Sequence, residues 1–358
     1  MGYLIPLQII YPMPILTPVQ YKTPLLQFNG HLQSIYPSIF RKVSFVYAKR
    51  ERLELPDGDF VDIDWSVAKK SSNKLVIITH GLEGDSTRHY VTGMAKIFSA
   101  NGYDALGWNC RSCSGEMNRL VRFYHHGDAN DLRSVIQHAI DQYGYQEIVL
   151  VGFSMGGSLT LRAIAEFPEW VPPQVKSAIG FSVPCSLKGS VDALSTKEYN
   201  IYLKRFLRKL GEKIKLKAQL FPGQIDASNY NQIKTFIEFD NRYTAPLHGY
   251  ADALDFYEKA SVGPLLHQLK IPSLIVQALN DPFLLPNCMP IEVAKENPFL
   301  FLEMPKKGGH CGFMLQGQLH TWAENRAVEF ANNYCYLFKG LIQIFLKLTG
   351  FPPSIPWS

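Results

Sequence analysis

The segment Gly152-Phe153-Ser154-Met155-Gly156 carries the clearest chemistry in the chain. A serine hydroxyl is a poor nucleophile until a base takes its proton. Small residues on both sides permit the tight, strained turn that presents such a serine where neighbouring backbone passes close. By composition alone the G-x-S-x-G pattern would occur in about one chain in ten of this length, so its setting decides. An apolar run, 147–152, leads into it and a helical pattern, 155–167, leads out. Strand, sharp turn and helix together make a nucleophile elbow, with the first helical amides aimed at the reacting carbonyl. After an elbow of this kind, an acid and then a histidine are expected along the chain.

Asp281, in Asn280-Asp281-Pro282, closes the apolar run 273–279 and is the expected acid, holding an imidazole in one tautomer. His310, in Gly308-Gly309-His310-Cys311-Gly312, follows the run 300–304 and is the expected general base, then general acid. An unperturbed imidazole would make activity rise near pH ~6.5. Two donors for the oxyanion are expected from the Met155 amide and the Leu82 amide, the latter in His80-Gly81-Leu82-Glu83-Gly84 at the exit of an early apolar run. The plainer readings are a turn aspartate, a satisfied histidine and a glycine-rich strand exit. Chain order and the glycine frame favour the chemical ones.

Elements must bring these distant positions together. Runs 43–55 and 59–68 around Pro56-Asp57-Gly58 read as a hairpin. The short apolar runs at 74–80, 103–108, 147–152, 177–183, 273–279 and 300–304 read as strands buried on both faces. Helical patterns at 88–101, 128–143, 155–167 and 319–347 lie between and after them. Such alternation predicts an α/β fold, a parallel sheet with helices on both faces. The interval 186–265 lacks a buried-strand signal and reads as a helical lid inserted between two core strands. The expected divisions are an N-terminal arm at 1–42, a core made of 43–185 with 266–347, the lid, and a tail at 348–358.

Composition narrows the classes. The 358 residues are 46% hydrophobic and 19% charged, which excludes wholesale disorder, collagen-like and coiled-coil designs. The net charge of +5 is local: 197–217 holds eight Lys or Arg against two Glu. No nucleic-acid reading motif accompanies it, so no nucleic-acid partner is expected. A solvated helix face is the first reading of 197–217, and peripheral contact with an anionic membrane the second. No phosphate loop, dinucleotide fingerprint or metal cluster is apparent, so no cofactor or metal is expected. Six cysteines form no disulfide framework in a chain of this length, which suits a reducing, cytoplasmic setting. Residues 1–21 lack charge, but Pro6, Pro12, Pro14 and Pro18 oppose a helix there, and an extended arm is expected. His126 and Asp131 have the spacing of an H-x4-D pair, read first as caps of a helix start.

His80-Gly81, the 152–156 elbow, Asp281 and His310 together resemble the α/β-hydrolase superfamily. Phe28-Asn-Gly-His-Leu-Gln33, Asn109-Cys-Arg-Ser-Cys-Ser-Gly115, Tyr124-His-His-Gly-Asp128 and Phe239-Asp-Asn-Arg-Tyr-Thr-Ala-Pro-Leu-His-Gly249 are similar to its YheT-like branch, which includes ABHD-type hydrolases. The resemblance spans about 25 to 330. It implies an eight-stranded, mostly parallel sheet, a helical lid and hydrolysis of carboxylic esters. The expected function is therefore a serine esterase acting on small ester substrates of short to medium acyl chain. An acyltransferase or thioesterase using the same serine, and a non-catalytic binding protein on the same fold, are the alternatives.

Overall fold

In the computed structural model, described for residues 15–67, 72–196 and 200–333, nine strands form one twisted sheet. They are β1 (Ile15–Leu16), β2 (Lys49–Glu54), β3 (Phe60–Ser66), β4 (Lys74–Thr79), β5 (Asp104–Asn109), β6 (Glu147–Phe153), β7 (Val175–Phe181), β8 (Ser273–Val276) and β9 (Leu300–Glu303). Their spatial order is β1-β9-β8-β7-β6-β4-β5-β3-β2. The hairpin β2–β3 and the pair β3–β5 are antiparallel, and every other pairing is parallel. One strand more than the eight expected is present. Ile15–Leu16 from the N-terminal arm adds in parallel beside Leu302–Glu303, covering an edge that would otherwise offer unpaired amides.

Along β4, Leu75 and Ile77 join one apolar cluster while Val76 and Ile78 join the other. That alternation is why these strands read as continuous apolar runs: both faces are buried under helices. The covering helices are α2 (His89–Ala100), α3 (Asn130–Tyr143) and α4 (Met155–Ala165), with residues 322–333 also helical, while α1 (Gly30–Phe40) packs Ile35 on the apolar cluster of the helical insertion. Between β7 and β8 the chain builds α5 (Leu187–Leu194), α6 (Asn200–Leu220) and five further short helical segments between Tyr230 and Ala260. This helical insertion has an apolar cluster of its own, from Leu187 and Val191 through Leu203, Leu207 and Ile214 to Phe256, which also takes in Phe283 from the core.

Helix α6 corrects the first reading of the basic segment. Lys204, Arg205, Arg208 and Lys215 are exposed, but Lys209, Lys213 and Lys217 recur every four residues and turn inward. Lys217 is fully buried, donating to the carbonyls of Asn118 and Leu120. Burial lowers its pKa to about 8. A stripe of cations at helical spacing can face the protein when carbonyls and a carboxylate wait there, and sequence periodicity does not distinguish that case. Among the described residues no helix is long and apolar enough to cross a membrane. The expectations for residues 1–14, for the end of helix 319–347, for Cys335 and for the tail lie outside the described residues.

Candidate active site

Ser154 stands at the carboxyl end of β6, immediately before α4, with φ +56° and ψ −124°. A non-glycine residue holds this left-handed conformation only when its surroundings impose it, at a cost of about 1–3 kcal/mol. The glycine frame has a steric cause. A Cβ on Gly152 would lie 2.2 Å from the Gly156 carbonyl oxygen, and one on Gly156 would lie 2.3 Å from that of Thr79. No side chain fits at either position, so the turn can close over β4 only with glycine on both sides.

His310 Nε2 lies 2.8 Å from Ser154 Oγ, and His310 Nδ1 lies 2.9 Å from Asp281 Oδ2. The Asp281 side chain is fully buried and also accepts the Phe283 amide at 2.8 Å. The Phe283 ring stacks on the imidazole, centroids 4.1 Å apart. Three residues separated by 127 and 29 positions in sequence thus meet at the carboxyl edge of the sheet. Burial opposes a charge on His310, but Asp281 and Cys311 beside it outweigh that, so the imidazole pKa is raised well above its ordinary value. The unperturbed value of ~6.5 used in the sequence reading is corrected upward.

The loop after β4 separates its amides. Gly81 N–H donates to the Tyr90 hydroxyl and Glu83 N–H to the Tyr124 hydroxyl. Among the described residues the Leu82 amide has no acceptor, and neither does that of Met155. His80 fixes the loop from below: its Nδ1 donates to the Gly81 carbonyl, and its Nε2 accepts the Cys110 amide. Burial lowers its pKa to about 4, so the imidazole stays neutral in that tautomer.

Several positioning groups were not found from sequence. Helix α1, capped by Asn29, passes so close to the acid loop that a Cβ on Gly30 would sit 1.9 Å from the Asn280 carbonyl oxygen. Gln33 Oε1 accepts from both Asn280 Nδ2 and the Gly308 amide, and Ser34 Oγ accepts the His310 amide. The segment 28–33 therefore ties the Asp281 and His310 loops together; its only sequence signal was the family motif, to which no role had been attached. Glu83, at φ +55°, is the second such group. Its carboxylate accepts from the Tyr124 hydroxyl at 2.6 Å and from Lys213 of α6 at 2.9 Å, while Lys209 and Arg88 donate to its carbonyl. Burial works against the Lys213 charge, but the Cys113 sulfur and Glu83 hold its pKa above the usual lysine range.

A cavity of about 110 Å³ extends from Ser154 beneath the helical insertion. Its wall is mostly apolar, including Val191, Phe206, Leu210, Phe236 and Phe239. Asp240, Tyr243, Thr244 and His248 of the 239–249 run line it too. Burial pushes the Asp240 carboxyl up to about 6, against the Thr244 and Tyr257 hydroxyls that donate to it. His126 lines the same cavity, but Asp131 is taken in a two-pronged ion pair with buried Arg111. No hydrogen bond joins the two among the described residues, and neither caps α3, whose N-cap Ala129 has no side-chain cap bond; the helix-cap reading is corrected to an ion-pair role for Asp131.

Residues 74–316 match a family model described as the alpha/beta hydrolase fold. The chain is similar to YheT of Escherichia coli (strain K12), named as a candidate esterase, at 31% identity over 312 residues covering 86% of this chain and 91% of that one. It is 27% identical to the human phospholipase ABHD3 over 310 residues, 84% of this chain and 75% of the relative. Among solved structures, an esterase of Pyrococcus furiosus, Pf2001, superposes with a TM-score of 0.56 at 18% identity, covering 81% of this chain and 91% of that one. The last likeness speaks to the fold alone.

Proposed function

Since the chain belongs to the alpha/beta hydrolase fold family, in its YheT-like branch, we propose that it is a serine esterase that cleaves carboxylic esters through Ser154, His310 and Asp281. The observation that carries this is the run of contacts from Asp281 Oδ2 through His310 to Ser154 Oγ, at 2.9 and 2.8 Å, beside two unengaged amides.

Each group then has a role. Ser154 Oγ attacks the ester carbonyl while His310 Nε2 takes its proton. Charge moves onto the former carbonyl oxygen, where the Leu82 and Met155 amides and the start of α4 stabilise it. His310 next protonates the departing alkoxide, and the alcohol leaves behind an acyl-serine. Water, deprotonated by the same imidazole, releases the acid. Asp281 stabilises the imidazolium in both halves without itself taking the proton.

The acyl arm lies in the apolar cavity, over which the helical insertion acts as a lid. A cavity of about 150 Å³ is enough for benzene, so about 110 Å³ suits a tail of roughly four to six carbons and supports a short-chain preference. The five cysteines described are all unbridged, which supports a reducing, cytoplasmic location.

A fluorophosphonate probe should label the protein, and label it no longer after Ser154→Ala. A panel of p-nitrophenyl esters should peak in kcat/KM near butyrate or hexanoate. Undiminished labelling of a folded Ser154→Ala protein would overturn the reading.

A further inference from the structure

Two tyrosines pack against the loop after β4, and they spend their protons differently. Glu83 N–H donates to the Tyr124 hydroxyl, which in turn donates to the Glu83 carboxylate at 2.6 Å. Gly81 N–H donates to the Tyr90 hydroxyl at 3.1 Å, but the Tyr90 O–H has no acceptor among the described residues. A phenol in packed surroundings ordinarily finds an acceptor for its proton. One left over at the wall of a cleft marks where an incoming acceptor would sit.

That place adjoins the nucleophile. A second cavity, of about 130 Å³, meets the acyl cavity at Ser154, and Tyr90, Gly81, Leu82 and His310 are in its wall. A Cβ on Gly81 would stand 3.2 Å from Ser154 Cβ and 3.4 Å from the Tyr90 hydroxyl oxygen, so phenol and nucleophile flank one point. A Cβ on Gly84 would meet the same hydroxyl at 3.1 Å, so small residues at both ends of the loop make room for it. The ring is held by its neighbours. It packs on Phe153, the residue before the nucleophile, with centroids 4.7 Å apart, and meets His89 edge-on at 5.2 Å.

The chemistry of the hydroxyl suits a donor. Burial and the neighbouring Cys311 raise its pKa, so the phenol keeps its proton while His310 works as a base. Accepting the Gly81 amide polarises the O–H and strengthens what it can donate. The leaving oxygen is already served by His310 Nε2, which by then carries the serine proton. The former carbonyl oxygen is held by backbone alone, and one of its two donors, the Leu82 amide, is next in the chain to Gly81.

We propose that Tyr90 is a third donor to the oxyanion, its phenol O–H joining the Leu82 and Met155 amides on the former carbonyl oxygen of the ester at Ser154. The proposal rests on the esterase reading and adds to it a catalytic residue whose donor is a side chain. The proton stays on the phenol. The hydrogen bond strengthens as charge builds on the oxygen and slackens when the carbonyl forms again.

The test uses the full chain with Tyr90→Phe, assayed on p-nitrophenyl, phenyl and ethyl butyrate. Both kcat and kcat/KM should fall about 10²-fold with KM nearly unchanged, and by the same factor on all three esters, because the oxyanion is common to them. A loss that grows from the p-nitrophenyl to the ethyl ester would put the hydroxyl on the leaving oxygen and defeat the proposal. So would a kcat within about twofold of wild type. Tyr90→Phe also takes the acceptor from Gly81 N–H, so 3-fluorotyrosine and 3,5-difluorotyrosine are introduced at position 90 as well. Fluorine makes the phenol a stronger donor and a weaker acceptor. A donor to the oxyanion then keeps or raises kcat; a group that only fastens the Gly81 amide lowers it, and that fall would overturn the assignment. A wild type that takes a fluorophosphonate label and hydrolyses these esters keeps the esterase reading whatever Tyr90→Phe does. A wild type that does neither defeats that reading and this proposal with it.

Discussion

Replacing Lys213 by methionine should uncouple the helical insertion from the loop that carries the Leu82 amide. The Glu83 side chain is 4% exposed and that of Lys213 16%, so the pair is nearly dry. Removing one member of a buried pair usually costs about 3–5 kcal/mol, because the remaining charge is left uncompensated. Glu83 would keep the Tyr124 hydroxyl at 2.6 Å, and Lys213 is not wholly enclosed, which brings the expected loss to about 2–3 kcal/mol. A stranded carboxylate can also escape by binding a proton. At pH 7 that costs a carboxyl of ordinary acidity about 3–4 kcal/mol, and at pH 5 about 1 kcal/mol. The destabilisation of Lys213→Met should therefore shrink as pH falls from 7 to 5, measured by urea unfolding at each pH. A Glu83→Gln/Lys213→Met double variant, with no charge left to strand, should regain most of the loss. Because Glu83 follows Leu82, kcat on a butyrate ester should fall about tenfold with little change in KM, as expected when a transition-state donor is displaced and not removed. A destabilisation that is flat between pH 7 and 5, or a double variant no better than the single, would refute the coupling.

Three further outcomes are expected. In the mechanism we propose neutral His310 is the base, so kcat/KM should rise with pH through an apparent pKa above 6.5, and stability should run the other way: the His310–Asp281 contribution is full below the unfolded value and lost as pH rises through the raised folded one; a rate profile already flat by pH 6.5 would contradict this. Asp281→Asn should retain the fold yet lower kcat about 10⁴-fold, since an amide holds the wrong tautomer, and a loss under tenfold would remove Asp281 from the mechanism. Gly156→Ala should abolish soluble expression or cost more than about 3 kcal/mol in unfolding free energy, because its new methyl meets the Thr79 and His80 carbonyl oxygens at 2.3 and 2.5 Å.

Local chemistry was legible in the sequence; long-range fastening was not. The elbow could be read because Gly152, Ser154 and Gly156 are neighbours whose spacing is itself the steric requirement. Asp281 and His310 followed from chain order, each at the end of a strand whose apolar run is visible. Gln33 and Ser34 could not be read this way, since their partners lie 247 to 276 residues away and a buried glutamine has no periodic signature. The lysines of α6 misled for a related reason: a cation every four residues describes a stripe, and only the position of Glu83 and the carbonyls of the 118–120 loop says that the stripe points inward. The two-residue β1 is too short for any alternation to register.

The backbone records where stability has been given up for this geometry. Among the described residues seven non-glycine positions have positive φ, and five of them, Glu83, Ser154, Ser182, Cys311 and Phe313, surround the Ser154–His310 contact. Each costs about 1–3 kcal/mol and persists only because its neighbours compel it. The compelling contacts are visible. Ser154 N–H donates to the Phe181 carbonyl and Ser182 N–H to that of Val276, so the elbow is stitched across β7 to β8. Cys311 N–H donates to Ser182 Oγ, and Phe313 N–H to the Gly308 carbonyl, which closes the histidine loop on itself. Glu83 is held by Tyr124 and Lys213. Strained residues that each bond to a different element can relax only by moving several strands at once, and a sheet buried on both faces resists that. The imidazole and hydroxyl are thus kept 2.8 Å apart by the rigidity of the whole sheet edge as well as by their own hydrogen bond.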